Sequence, residues 1–370
     1  MDFKIDKVDE RMREPIQQKI DNLNKPKGSL GRLETLAMQL CLIQQTLEPR
    51  LSHPCHLLLG GDHGIEREGV SVSPREVTWQ QMLNFTRGGG GVNMFCRQHG
   101  FSLRIVDVGV DYNFTEQASK QTEGSVTPAR AFNILDRKIA RGTHNFLYEA
   151  AMTADEYEQA LETGADLADD CHREGCNIIS IGEMGIANTS PSSIWMHLFT
   201  DIPLADCIGA GAGLNSEGVS HKFTVLDAAV KNFYKTHEEY KTLKAYSNPQ
   251  LKEIIRYFGG YEMVAAIGAM LRGAERHMAV LIDGFIMTAC ALAAVRLYPE
   301  SQDYMVFTHC GDESGHRLML NALNAHPLLN LGLRLGEGTG ALCAYPLVES
   351  AVRMMNEMNS FETGKITKYF

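Results

Sequence analysis

Glu337 is the residue whose surroundings most suggest chemistry. It sits in Leu333-Arg-Leu-Gly-Glu-Gly-Thr-Gly-Ala-Leu342, one acid among three glycines, with an apolar segment before it and an apolar helix after it. In an apolar pocket such a carboxyl would rise toward the pKa of a useful general base. An exposed acid in a glycine turn is the other reading of the same residues. A second segment, Ile178-Ile-Ser-Ile-Gly-Glu-Met-Gly-Ile-Ala-Asn-Thr-Ser-Pro-Ser-Ser193, reads as a strand entering a glycine turn and then a helix. Ser190 is expected as the N-cap and Pro191 as the first helical residue. Backbone N–H groups at a helix start, with hydroxyls beside them, suit a phosphate monoester. The segment lacks the lysine of a GxxxxGK[ST] loop, which excludes an ATPase of that type. A plain capped helix fits it equally well. Lys222, at the end of the glycine-rich run from Gly209, would supply the positive charge this loop lacks, or else be a solvated surface lysine.

Three further features invite a role. Asp62 and His63 follow an apolar run and precede Gly64, which makes a catalytic pair or a simple turn. Ser73, Pro74 and Glu76 have the spacing of a capping box that opens a helix through Trp79, Gln80 and Leu83. That helix must stop at Gly88-Gly-Gly-Gly91; four flexible residues in a row indicate close backbone approach or a hinge. The nine cysteines form no CxxC pair and mostly lie in apolar runs, as reduced core thiols do. Cys171, His172 and Cys176 come closest to a metal cluster, without the spacing of a zinc site.

These loops recur at one kind of place. Apolar runs at Leu57–Leu59, Leu103–Val110, Asn177–Ile181, Val280–Ile282 and Met305–Thr308 are each followed by a loop, most of them glycine-rich, and then by a helical pattern. Repetition of strand, loop and helix predicts an α/β fold, a Rossmann-like parallel sheet with helices on both faces. Such sheets bind ligands at the carboxyl ends of their strands, where these loops fall. Residues 1–50 read as helical with a break at Asn24-Lys-Pro-Lys-Gly28, then one long amphipathic helix through Glu34, Leu36, Leu40, Ile43 and Leu47. Pro346–Met358 reads as another such helix, and Lys235–Tyr257 as polar surface helix and linker. The expected division is a large α/β domain over 50–345 and a small helical domain from 1–49 with 346–370.

At 370 residues the chain can bury a full core. A formal charge of −10 argues against nucleic acid as a partner, so an anionic substrate would need local positive potential. The charged stretch Met1–Pro15 lacks the apolar centre of a signal peptide. The apolar stretch Ala279–Leu297 carries Asp283, Gly284, Thr288 and Arg296, as a buried helix would. The expectation is a cytoplasmic protein without membrane contact.

Taken together, the segments resemble the nicotinate-nucleotide–dimethylbenzimidazole phosphoribosyltransferase family. The match runs through Lys25-Pro-Lys-Gly-Ser-Leu-Gly-Arg-Leu-Glu34, Gly61-Asp-His-Gly64, Gly69-Val-Ser71 with Val77-Thr78, Gly88-Gly89 and Arg97-Gln-His-Gly100. It continues through Gly182-Glu-Met-Gly-Ile-Ala-Asn-Thr189, Asp283-Gly-Phe285 and Leu333–Gly340. The resemblance implies transfer of phosphoribose from nicotinate mononucleotide to 5,6-dimethylbenzimidazole by a homodimer without a cofactor or metal. It implies Glu337 as general base and Glu183 near the ribose, either steadying positive charge or purely structural. Gly185, Ala187, Asn188, Thr189, Ser190, Lys222, Glu313 and Gly315 would hold the nucleotide. Ser71, Gln80, Met184 and Leu335 would line the base pocket. The chain departs from the family pattern at Ala187, where glycine is usual, and in Gly311-Asp-Glu-Ser-Gly-His316, where the family has Ser-Ala-Glu-Pro-Gly-His. The runner-up is the same chemistry with another acceptor, such as adenine, another benzimidazole or a phenolic compound. Two other classes fit parts of the sequence: a metal-dependent hydrolase using Asp62, His63, His309, Asp312 and His316, and a nucleotide-binding protein without turnover.

Overall fold

The structure is a computed structural model that describes residues 1–114, 133–211, 213–243 and 245–368. Six strands form one parallel sheet: β1 (Cys55–Gly61), β2 (Ser102–Gly109), β3 (Ile134–Asp136), β4 (Ile178–Met184), β5 (Ala279–Ile282) and β6 (Met305–Phe307). Their order across the sheet is β3-β2-β1-β4-β5-β6. The five runs of apolar residues give β1, β2, β4, β5 and β6, and the three-residue edge strand β3 has too short a pattern to be read from sequence.

Side chains alternate between two apolar layers because successive residues of a strand point to opposite faces. Leu57, Leu59, Ile179, Ile181, Val280 and Ile282 enter one layer. Leu58, Ile178 and Leu281 enter the other. With both faces covered, β1 is buried throughout, which explains its near-continuous apolar character.

The helices are α1 (Arg13–Asn22), α2 (Arg32–Gln44), α3 (Glu76–Thr86), α4 (Gly91–His99), α5 (Ala154–Arg173), α6 (Thr189–Thr200), the short α7 (Leu204–Cys207), α8 (Ser216–Thr236), α9 (Asn248–Phe258), α10 (Tyr261–Glu275), α11 (Phe285–Leu297), α12 (His316–Ala322) and α13 (Thr339–Glu357). The apolar stretch from Ala279 becomes β5 and the mostly buried α11, and among the described residues no helix is long and apolar enough to cross a membrane. Residues expected as polar surface between Lys235 and Tyr257 instead include α9, which buries Leu251, Ile254, Ile255 and Phe258. Its charges occupy the opposite side of a strongly amphipathic helix, and counting polar residues hid that.

The chain ends meet. Asn24 N–H donates to the Asn359 carbonyl at 2.8 Å and Phe361 N–H to that of Asn22 at 3.1 Å. The Asn356 side chain donates to the Pro49 carbonyl at 2.8 Å. Apolar residues of α1, α2 and α13 share one layer with the sheet residues Leu58 and Leu281. The boundary expected at 345/346 falls inside α13, which begins in the glutamate-glycine loop.

Candidate active site

A parallel sheet ordered 3-2-1-4-5-6 has its topological switch between β1 and β4, and ligands bind outside the carboxyl ends there. A cleft of about 330 Å³ lies at that place. Ser71 and Gln81 contribute from beyond β1, Glu183 to Thr189 from the end of β4, Asp283 to Met287 after β5, His309 and Glu313 after β6, and Leu333 to Glu337 from the loop entering α13.

Glu337 is held at this cleft by an uncommon backbone path. Gly336, Glu337 and Gly338 all have left-handed φ, +82°, +60° and +77°. For the glutamate this costs about 1–2 kcal/mol, which the surroundings must offset. The ring of His56 donates from Nε2 to the Glu337 carbonyl at 3.1 Å. Burial pushes the His56 imidazole down to about 4, so it is the neutral donor tautomer. Gly182 on β4 lies so close that a Cβ there would come within 2.4 Å of the Glu337 carbonyl carbon.

The carboxylate of Glu337 accepts from Val92 N–H at 3.1 Å, at the start of α4. This accounts for the last of the four glycines: a Cβ on Gly91 would lie 3.3 Å from Glu337 Oε2 and 3.0 Å from Leu335 Cδ2. Burial raises the Glu337 pKa above the ordinary carboxylate value. The N–H groups of Val92 and Gly91 restrain that rise, and the Asp283 charge adds to it.

Glu183 is the penultimate residue of β4, its side chain buried in the same cleft. Burial pushes it up to about 8 against a hydrogen bond from Asn188, and Glu262, Asp283 and Glu337 add like charge. At neutral pH it therefore carries a proton. In that state Glu183 can donate a hydrogen bond to a substrate oxygen; ionised, it would steady positive charge at the ribose.

The start of α6 also differs from expectation. The helix begins at Thr189, after Ala187 at a left-handed φ of +75°. Asn188 takes the cap position but commits its side chain to Glu183. Ser190 is therefore inside the first turn, its hydroxyl buried without a partner. The same applies at α3, which begins at Glu76 with Arg75 preceding it; the box expected at Ser73 does not form.

Lys222 is fully buried on α8 and donates to Thr189 Oγ1 at 2.7 Å. Burial lowers its pKa to about 8. It reaches the cleft through Thr189, 33 residues away in the chain. Gly315 does not face the cleft: it turns left-handed at φ +82° and packs against Met196 and the Asp206 carbonyl. Glu313 does line it, with its carboxyl raised by burial.

In the expected base pocket, Ser71, Met184 and Leu335 line the cleft. Gln80 does not. It is exposed on α3, and Gln81, about 100° further round the helix, faces the site. Sequence reasoning also missed the Asp283–His309 pair, Oδ1 to Nε2 at 3.4 Å, on the cleft wall. Burial would raise Asp283, but His309 and the Ala341 N–H hold it below the usual carboxylate range. Burial likewise opposes charging of His309, yet Asp283 raises it above an ordinary imidazole. The glycine after Asp283 and before a helix was the available signal.

The five hydrolase candidates do not assemble. His63 pairs with Glu262 at 2.6 Å, Asp62 accepts from Asp111 N–H at 2.8 Å, and His309 pairs with Asp283. His316, held neutral with a pKa near 3 by burial, accepts from Gly311 N–H at 2.8 Å and donates to Thr288 at 3.0 Å. Asp312 is exposed. Among the described residues no three such side chains converge as a metal site would require.

A buried carboxyl group facing a glycine-turn loop and a helix start across the switch point is an arrangement suited to group transfer. The DBI_PRT family model, described as phosphoribosyltransferase, matches residues 5–366. The chain belongs to this phosphoribosyltransferase family. It is 53% identical over 368 residues to the nicotinate-nucleotide–dimethylbenzimidazole phosphoribosyltransferase of Bacteroides fragilis, covering 100% of this chain and 99% of the relative. Identity to the enzyme of that name from Parabacteroides distasonis is 55% over 369 residues, covering 100% of this chain and 99% of that relative. The solved structure of CobT from Thermus thermophilus aligns over 97% of this chain and 99% of its own, with a TM-score of 0.84 at 33% identity. Within this phosphoribosyltransferase, Glu337 and Glu183 reach the cleft from separate segments, with Lys222 behind Thr189.

Proposed function

We propose that the enzyme transfers the 5-phosphoribosyl group of nicotinate mononucleotide to 5,6-dimethylbenzimidazole, giving α-ribazole 5′-phosphate and nicotinate. The observation that carries this reading is Glu337: a buried acid with a raised pKa, one oxygen anchored by Val92 N–H, lining the cleft of a phosphoribosyltransferase. The names of the Bacteroides fragilis and Parabacteroides distasonis relatives support the pair of substrates.

A benzimidazole nitrogen forms a bond to C1′ as the bond to the pyridinium nitrogen breaks. The departing pair neutralises that pyridinium, so nicotinate leaves without needing a proton. The other benzimidazole nitrogen becomes a stronger acid, and Glu337 takes its proton. Alignment of the two rings on opposite faces of C1′ inverts β to α and supplies much of the acceleration. Thr189, backed by the Lys222 ammonium, receives the phosphate at the start of α6, where the helix dipole favours an anion. The protonated Glu183 donates to the ribose. Met184 and Leu335 supply apolar contact for the base, and Ser71 and Gln81 its polar edge.

We further read a cytoplasmic homodimer with its two chain ends forming a small helical unit. Light scattering on the purified protein measures the mass.

The test of the reaction supplies nicotinate mononucleotide and dimethylbenzimidazole and follows nicotinate and α-ribazole phosphate by chromatography with mass detection. Glu337→Gln should lower kcat by roughly a hundred- to ten-thousand-fold with the nucleotide still bound. A wild type that binds the nucleotide and makes no product would point to a different acceptor base.

A further inference from the structure

Behind the cleft lies a pair that the proposed transfer chemistry leaves unused. His63 follows β1, and Glu262 lies in the first turn of α10. The His63 ring donates from Nε2 to Glu262 Oε1 at 2.6 Å, and the two side chains are 1% and 0% exposed. The second oxygen of Glu262 and Nδ1 of His63 are buried without partners. A polar pair this deep is a poor source of stability, because burial strips both groups of water.

Its neighbours point to another use. Three glycines wrap the pair. A Cβ on Gly61 would come within 2.6 Å of Glu262 Oε2, one on Gly260 within 2.2 Å of the His63 ring, and one on Gly185 would lie 3.1 Å from Glu262 Oε1. Gly185 meanwhile lines the cleft. Nor can Glu262 move away easily, because α10 is seated closely on α5: a Cβ on Gly164 or Gly268 would lie 1.7 or 2.0 Å from a carbonyl oxygen of the other helix.

We propose that His63 and Glu262 are a positioning pair for phosphoribosyl transfer, fixing the path of Gly185 and laying the Glu262 side chain behind Glu183. This rests on the reaction proposed above. Four groups act on Glu183: Asn188 on its own loop, Glu262 on α10, Asp283 after β5 and Glu337 before α13. The last three are acids, and burial together with their charge keeps Glu183 protonated. Around Glu262 itself stand His63, Glu183 and the thiol of Cys290 on α11, with Asp62 adjacent to His63 and Arg75 donating to the His63 carbonyl at 3.2 Å. The pair thus acts on the reaction through Glu183 and Gly185.

Lys222 titrates in the same region as Glu183, so a rate profile alone would not separate them. The direct readout is carboxyl carbon-13 NMR of the full-length protein with labelled glutamate, the Glu183 signal being assigned by its loss in Glu183→Gln. This readout needs no turnover, so failure of the assigned reaction and failure of the pair are told apart. In Glu262→Gln the Glu183 midpoint should fall from about 8 by on the order of one pH unit. An unmoved midpoint overturns the charge role. Glu262→Asp retains the charge but retracts it from Gly185, so the midpoint should hold while the affinity for nicotinate mononucleotide, read by calorimetry, falls several-fold. Unchanged affinity overturns the positioning role. If Glu262→Gln does not fold, the aspartate variant decides both points: a midpoint displaced despite the retained charge, or an undiminished affinity, sinks the proposal.

Discussion

Glu183 and Lys222 are both titratable and buried, and they respond to pH in opposite senses. A glutamate whose folded pKa is raised to about 8 from 4.5 binds its proton more tightly in the native state. Its contribution to stability is complete below about 4.5 and is lost as pH climbs through 8. Glu183→Gln, which cannot ionise, should therefore match the wild type in acid and exceed its melting temperature increasingly across that window. Differential scanning calorimetry at a series of pH values measures the gap, and a constant gap would show that Glu183 is not the titrating group. Lys222 is the reverse case, charged below about 8 and neutral above. Nucleotide affinity should fall as pH rises through that value. Lys222→Met should lose about ten- to a hundredfold in affinity at neutral pH, the worth of one charge-assisted hydrogen bond, and keep only the share of the dependence that Glu183 contributes. Isothermal calorimetry with nicotinate mononucleotide tests both.

At the level of elements, the site depends on how closely backbones approach. β4 carries glycine at 182 because the loop of Glu337 packs directly on it; the left-handed turn at Glu337 can exist only with that support. Gly182→Ala places a methyl carbon 2.4 Å from the Glu337 carbonyl, so the loop must retreat. Activity should drop by roughly a hundredfold, the cost of about an ångström of misplacement, while the far-ultraviolet circular dichroism stays unchanged. Wild-type kcat in this variant would mean that the loop tolerates displacement. Ala187 is a related departure. Its left-handed φ suits glycine, so this chain keeps a strained methyl group at the turn that enters α6.

Across the whole molecule, the segments at the two chain ends close over one face of the sheet. Within the N-terminal segment Lys25 and Glu34 form a buried pair: the ammonium meets Glu34 Oε1 at 2.8 Å and the same oxygen accepts from Leu30 N–H at 2.9 Å. Removing one partner leaves the other charge buried alone. Glu34→Ala should cost about 3–5 kcal/mol in urea unfolding, and Glu34→Ala with Lys25→Met should recover much of it. Equal losses in the single and double variants would show that the pair is not coupled.

Much of this architecture is legible from residues near one another in the chain. Apolar runs ending in loops give five of the six strands, because strand burial is a local pattern. Connection by helices makes those strands parallel, and parallel order brings the loops of Glu183 and Glu337 to one edge. The glycines around Glu337 likewise announce close packing before any partner is known. What depends on contacts between distant segments had no local signature. Gln81 rather than Gln80 faces the cleft because α3 presents Thr78, Met82 and Phe85 to the core, which fixes its rotation. Ser190 loses its cap role because Asn188 turns toward Glu183, and Lys222 becomes a buried cation only when α8 closes behind Thr189. His63 with Glu262, and Asp283 with His309, meet across 199 and 26 residues of chain. A charge has no meaning for a site until folding decides which water it loses and which neighbour it gains, and only the tertiary structure makes that decision.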